Sequence, residues 1–215
     1  MISIDNISVE FGVKPLFTDV SYVINRHDRI ALVGKNGAGK STMLKIIAGH
    51  QMPTRGRVSK PKELSIGYLP QVMILTDSLT VREETEKAFN DTIRLEKHLE
   101  SLNQELADRT DYDSEEYHEL IEEMTSLNEQ LTMINSTNRD AEIEKTLLGL
   151  GFTRTDFDRP TSEFSGGWRM RIELAKILLQ HPDLLLLDEP TIHLDIESIQ
   201  WLERFLAASN ATVLL

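Results

Sequence analysis

Apolar residues recur along the chain in two rhythms. In the first stretch they alternate with polar ones: Ile2 and Ile4, then Ile7 and Val9, with Gly12 and Pro15 as punctuation. That is the pattern of half-buried strands joined by turns. Two short runs are apolar without a break, Ile30-Ala31-Leu32-Val33 and Leu184-Leu185-Leu186-Leu187. Such runs predict strands buried between layers of helix, as in a parallel sheet. Leu64 to Leu69 and Thr212 to Leu215 predict two further strands. Helical spacing appears over Ser41 to Ala48, 140–149, 167–180 and Ile196 to Ala208. Strands alternating with helices predict an α/β fold with a mainly parallel sheet covered on both faces.

The middle of the chain has a different character. Residues 80–136 contain no Gly and no Pro and are dense in charge. Leu95, Leu99, Leu102 and Leu106 follow 4-3-4 spacing, and Leu120, Met124, Leu127, Leu131 and Ile134 follow 4-3-4-3. A polar connector, Asp108 to Ser114, separates the two seams. Two apolar seams joined by a short polar turn predict an antiparallel helical hairpin. Its first helix, from about residue 82 to 107, would be on the order of 40 Å long. The chain therefore divides into 1–79, an inserted hairpin over 80–138, and 139–215.

Composition narrows the chemistry. The 215 residues include no Cys, which removes disulfides, thiolate zinc sites and a cysteine nucleophile. The six His form no close pairs, so a metal held by protein ligands alone is not expected. No apolar run approaches the roughly 20 residues of a membrane span, and the first residues lack a secretory pattern. A soluble, cytoplasmic chain is expected. The net charge of −12 is unevenly spread. Residues 77–145 hold 20 acidic and 7 basic residues, net −13, and the remainder holds 15 acidic and 16 basic, net +1. The acidity thus belongs to the hairpin, and it argues against phosphate-backbone binding through that surface.

Two motifs carry chemistry. Gly34-Lys35-Asn36-Gly37-Ala38-Gly39-Lys40-Ser41 fits G-x-x-x-x-G-K-[ST] between a predicted strand and a predicted helix. Its glycines let backbone N–H groups curl around a phosphate, and the helix adds the positive end of its dipole. Lys40 can then reach the β- and γ-phosphates, and the Ser41 hydroxyl can ligate Mg²⁺. The second motif is Asp188-Glu189, directly after the four leucines. A strand ending in Asp presents a carboxylate at the sheet edge where the phosphate loop sits, placing Asp188 on Mg²⁺. Glu189 is then the candidate to polarise an attacking water.

A third segment makes the reading specific. Glu163-Phe164-Ser165-Gly166-Gly167-Trp168-Arg169-Met170-Arg171 resembles the signature motif of ABC-type ATPases, usually LSGGQ, with Phe164 for the leucine and Trp168 for the glutamine. Asp188-Glu189-Pro190-Thr191 followed by His193-Leu194-Asp195 resembles that family's Walker B segment and D-loop. The resemblance covers essentially the whole chain. It implies a P-loop NTPase fold of the ABC type, with a helical subdomain and the hairpin as an insertion. It implies ATP with Mg²⁺ as ligands. Gly34, Asn36, Gly37, Ala38, Gly39, Lys40, Ser41 and Thr42 would hold the nucleotide, with Phe11 against adenine. Gln71 would be the Q-loop glutamine, joining Ser41 and Asp188 at the metal and Lys40 and Glu189 in catalysis. Ser165, Gly166 and Gly167 would contact the γ-phosphate of ATP held by a second, facing ABC domain. Ser165 is also expected to cap the helix that follows.

The hairpin is similar to the arm inserted in the first ATPase domain of ABC-F proteins, soluble tandem-domain ATPases of which many act on ribosomes. That branch implies an ATP-driven clamp with ribosome and tRNA as partners. The alternatives are the ATP-binding subunit of a membrane transporter, a DNA-associated ATPase and a non-catalytic module. Two departures stand out. Ile192 occupies the D-loop position where the family usually has Asn, and the switch histidine expected after the last strand has no counterpart up to Leu215. With one phosphate loop, the chain is expected to be the first half of a tandem protein.

Overall fold

The computed structural model describes residues 1–12, 14–70, 78–134 and 138–215. Four strands form the predicted parallel sheet, β3 (Arg29–Ile30), β5 (Ile66–Leu69), β6 (Leu184–Leu187) and β7 (Thr212–Leu214), in the order β3-β7-β6-β5. Three more, β1 (Ile2–Phe11), β2 (Lys14–Ile24) and β4 (Arg55–Ser59), form a separate antiparallel sheet in the order β2-β1-β4. This second sheet explains why the early apolar residues alternate. One face of β1 is buried, carrying Ile2, Ile4, Ile7 and Val9. The change of phase between Ile4 and Ile7 is a bulge, where Asn6 takes a positive φ of 49° and its N–H donates to Ser21 Oγ at 2.8 Å.

The leucines of β6 divide the molecule. Leu184 and Leu186 join Leu214, the inner residues of β1, and Met43, Leu44, Ile46 and Ile47 of α1 (Lys40–Ala48). Leu185 and Leu187 join Val213 and face the other layer. That layer contains α2 (Val81–Glu86), α5 (Arg139–Gly149), α6 (Gly166–Leu179) and α7 (Ile196–Ala208). All four leucines are buried, and each contributes about 1.5–3 kcal/mol relative to exposure. Ile30 to Val33 departs from the prediction of a buried strand. Only Arg29–Ile30 is regular strand, and Val33 is 93% exposed. The reason is position: β3 is the edge strand, paired on one side with β7, and the chain leaves it for the phosphate loop after Leu32 donates to Leu215 O at 2.7 Å.

The hairpin forms, with a break at its root. A single helix from about 82 to 107 is replaced by α2, a 3₁₀ turn at Lys87–Phe89, and α3 (Asn90–Asp108). Thr80 and Glu83 close a capping box that fixes the start of α2. Ala88 and Phe89 then pack against the α6 layer, which tightens the chain there before α3 departs. By length α3 spans about 28 Å, so the expected 40 Å rod is a shorter helix joined to α2 through the 3₁₀ turn. It runs antiparallel to α4 (Glu115–Ile134), with His98 Nε2 and Glu123 Oε1 2.9 Å apart. Leu102, Leu127 and Leu131 are buried in the seam between them. At the tip, Asp111 accepts from Arg109 Nε at 2.9 Å and from Ser114 Oγ at 2.8 Å.

Ion pairs fasten the root to the helical layer. Glu84 of α2 is 2% exposed and accepts from Lys87 Nζ at 2.7 Å and from Lys176 Nζ of α6 at 2.8 Å. Lys176 also donates to Glu173 at 2.8 Å. Arg139 of α5 forks onto Glu96 of α3. Burial pushes the Glu84 carboxyl up, but the hydrogen bonds from Lys176 and Lys87 outweigh it and leave it below the usual glutamate value. A lowered native pKa means stability that is present above the unfolded value and lost as pH falls through the native one. Glu84→Gln is therefore expected to cost about 1–3 kcal/mol near pH 7 by urea denaturation. The gap from the parent should shrink as pH falls from the usual glutamate value through the lowered native one, where the carboxyl of the parent protonates.

Candidate functional site

The phosphate loop links β3 to α1. Gly37 and Gly39 have φ of 80° and 99°, in the left-handed region that favours glycine. A Cβ on Gly39 would lie 2.8 Å from the Phe17 ring, so the position is closed sterically as well. Gly39 is the N-cap of α1 and offers no side-chain cap, so the first N–H groups of the helix face the cleft. Lys40 Nζ donates to Gly34 O at 3.0 Å and lies 3.9 Å from Glu189 Oε1. An open cleft of about 480 Å³ is lined by Phe11, Asn36, Gly37, Gly39, Lys40, Ser41, Thr42 and Glu189, with Leu16. Phe11 is 62% exposed at the end of β1, its ring free to meet a flat ligand. Gly34 and Ala38 shape the loop behind the cleft, Ala38 N donating to Lys35 O at 3.1 Å. Gln71 lies outside the described residues.

Asp188 and Glu189 stand at the end of β6. The parallel ladder reaches Asp188, whose N–H donates to Leu69 O at 3.4 Å. Asp188 is 5% exposed, and its Oδ2 is buried without a hydrogen-bond partner. A buried, unmet carboxylate oxygen beside a phosphate loop fits a divalent cation with oxygen ligands, such as Mg²⁺. Glu189 has a φ of 51°, rare for a residue with a side chain and typical of functional turns.

The signature segment lies elsewhere. Ser165, Gly166 and Gly167 are not among the residues lining the cleft. Ser165 sits at the N-cap of α6, but its side chain makes no capping hydrogen bond, contrary to the expectation that it caps the helix. The backbone takes the extended N-cap conformation, but the hydroxyl accepts no bond from the helix's first N–H groups. Gly167 faces His193 of the D-loop: a Cβ there would lie 3.4 Å from the ring.

Arg171 joins these pieces and was not singled out by sequence. Only 6% exposed, it donates from Nε to His193 O at 3.0 Å and from Nη1 to Leu150 O and Asp195 Oδ2, each at 2.8 Å. Its guanidinium lies 4.3 Å from the Trp168 ring centroid, and Trp168 packs edge-on against Phe152. Asp195 caps α7 through Ser198 N at 2.9 Å. That bond first, and Arg171 second, hold its carboxyl down to about 2. The available signal was position: Arg171 stands four residues after Gly167 and three before Leu174, on the apolar stripe of α6. A charge there requires a partner. Glu84 carries the same signal, between Val81 and Ala88.

The cleft and the strand-end carboxylate define a nucleotide-binding domain of the phosphate-loop class. A profile of the family described as "ABC transporter" matches residues 17–192, and the chain belongs to that family. It is 38% identical over 215 residues to "ABC transporter F family member 5" of Arabidopsis thaliana, covering 100% of this chain and 31% of that protein. It is 39% identical over 204 residues to "Energy-dependent translational throttle protein EttA" of Mycobacterium tuberculosis, covering 94% of this chain and 35% of that protein. The chain thus spans about a third of the length of these relatives. Among solved structures, an ATP-binding subunit of an ABC transporter superposes with TM-score 0.69 at 22% identity, covering 100% of this chain and 78% of that one. A dimeric ATP-binding cassette in a post-hydrolysis state with ADP and Pi does so with TM-score 0.64 at 19% identity, covering 100% and 86%. The fold expected from the sequence is the fold observed. No helix among the described residues is long and apolar enough to cross a membrane.

Arg171→Met should remove the donors to Leu150 O and His193 O. The expected loss is about 2–4 kcal/mol in urea unfolding, because two carbonyls and a carboxylate lose one buried cation together.

Proposed function

We propose that the chain binds Mg²⁺·ATP in this cleft and hydrolyses it when a second ABC domain faces it, as part of an ABC-F protein that acts as an ATP-driven clamp on the ribosome. The observation that carries the nucleotide reading is the placement of Lys40 between Gly34 O and Glu189, with the unmet Asp188 oxygen at the end of the adjoining strand. Backbone N–H groups of the loop and the start of α1 bind the phosphates, and Lys40 neutralises them. Ser41 and Asp188, with Gln71 as the sequence expects, would hold Mg²⁺, which screens charge on the phosphate oxygens. Glu189 is the base that orients and deprotonates water. Phe11 gives the adenine an apolar face.

Support for a two-domain reaction lies in the separation of the signature turn from the cleft it would complete. Ser165 keeps its hydroxyl out of the helix cap, and Gly166 leaves open space where a Cβ would stand. Both are thereby available to a γ-phosphate presented by another domain. ATP alone bridges both halves, so its affinity for the closed state drives closure.

The hairpin favours the ABC-F branch over a transporter subunit. The sequence similarity to EttA, named as a translational throttle, supports a ribosomal site of action. The acidic exterior of the hairpin favours contact with basic protein over a phosphate backbone.

Mg²⁺·ATP at a hundred times its Kd should stabilise the chain by about 2.7 kcal/mol, and Lys40→Ala should abolish that shift in thermal melts. Retention of the shift in Lys40→Ala would contradict the cleft assignment. The isolated chain should turn over slowly, and hydrolysis by the monomer at a rate typical of a complete ATPase would overturn the two-domain requirement. In the full-length protein, Glu189→Gln should trap the closed state and co-sediment with ribosomes in ATP but not in ADP. Free release of that variant in ATP would sink the clamp.

A further inference from the structure

Three side-chain atoms among the described residues are buried without a hydrogen-bond partner: Asp188 Oδ2, Tyr68 Oη and Tyr22 Oη. A buried hydroxyl without a partner costs about 1–3 kcal/mol, so each calls for an account. Tyr22 and Tyr68 offer a contrast. Tyr22 belongs to β2 of the antiparallel sheet and packs against the apolar cluster beneath it. Burial alone pushes its phenol up, to about 12. No charged group contributes.

Tyr68 is placed differently. It lies on β5, opposite Leu186 of β6 in the parallel register. Leu186 faces α1, and Tyr68 packs on that same side. Side chains alternate along a strand, so Asp188, two residues beyond Leu186, returns to this face. The ladder persists that far, through the bond from Asp188 N to Leu69 O. The His50 ring meets the Tyr68 ring edge-on at 5.1 Å. An unmet donor and an unmet acceptor therefore share one face of two neighbouring strands. They are beyond direct hydrogen-bonding distance. Tyr68 nonetheless feels Asp188: its phenol is pushed up by burial first and by the Asp188 charge second. A phenol so raised keeps its proton at neutral pH and can only donate to a carboxylate.

We propose that Tyr68 is a positioning residue for the metal: its hydroxyl donates through an ordered water to Asp188 and keeps that carboxylate turned toward Mg²⁺·nucleotide. The proposal rests on the nucleotide reading above. Its physical basis is that Mg²⁺ retains several of its waters, which need acceptors held in fixed directions. A water bridging two buried polar groups satisfies both at little cost. Partners one step removed from a ligand commonly alter metal affinity about 10- to 100-fold when lost. A single bridged hydrogen bond belongs at or below the lower end of that range.

The test is Tyr68→Phe, which removes one oxygen and keeps the ring. Binding of a fluorescent ATP analogue to the 215-residue chain is titrated with Mg²⁺, and again in EDTA. The Mg²⁺ concentration at half-saturation should rise about three- to tenfold, while binding in EDTA stays as in the parent. Tyr22→Phe should leave both unchanged. In an Asp188→Asn background the Tyr68 substitution should have no further effect, since the hydroxyl acts through that carboxylate. Thermal melts without nucleotide confirm that each variant folds. An unchanged Mg²⁺ midpoint in a folded Tyr68→Phe chain would overturn the proposal and leave the nucleotide site standing. Absence of Mg²⁺·ATP binding in the parent would overturn both.

Discussion

The depth of one strand organises this molecule. β6 is four leucines, all buried, alternately gripped by α1 below and the α6 layer above. A one-residue slip would only exchange leucine for leucine between the layers, so the register is held at the strand's ends: the slip would break the bonds from Ser65 N and Oγ to Asp183 Oδ2 and carry Asp188 to the opposite face. Whatever follows β6 is consequently fixed in height and in facing. Asp188 inherits the α1 side, where the phosphate loop opens. Glu189 then turns through a left-handed backbone conformation to face Lys40. The chemistry of two exposed-looking acidic letters in the sequence is set by the packing of four apolar ones.

From that strand, order passes outward through buried charges. Arg171 gathers the end of α5, the D-loop and α7 around one guanidinium. Glu84 binds the hairpin root to α6 through Lys176. Both are buried and hold their partners inside the helical layer, so their loss leaves polar atoms stranded rather than freed. The result is a helical layer in which signature turn, D-loop and hairpin root share rigid attachments. Ile192, 60% exposed, lies within this D-loop, whose fixing falls to Arg171 and Asp195 rather than to the side chain at that position.

Much of this was legible beforehand, for definable reasons. β6, α7 and the hairpin seam were readable because periodicity and burial coincide there. The phosphate loop was readable because glycine at positive φ leaves a spelling. The antiparallel sheet was half visible: the alternation of β1 was plain, but its partner β2 exposes too many residues to show a stripe. The reach of β3 was misjudged because an edge strand and a central strand share the same letters. The break at Lys87–Phe89 was hidden because Ala88 and Phe89 continue a helical pattern while packing sideways. Arg171, Glu84 and Tyr68 were missed for a common reason. Each is a polar residue whose role is set by a partner distant in sequence.

The 3₁₀ turn between α2 and α3 separates two kinds of variation. Each residue of an α-helix advances about 1.5 Å and turns about 100°. Adding or removing a whole repeat of the seam near the tip changes reach in steps and leaves the heading of the hairpin intact. A single residue gained or lost at the 3₁₀ turn rotates the face of the hairpin by about 100° relative to the layer that holds α2, with its length almost unchanged. Reach and aim are thus encoded in different stretches of sequence, and each can drift without the other.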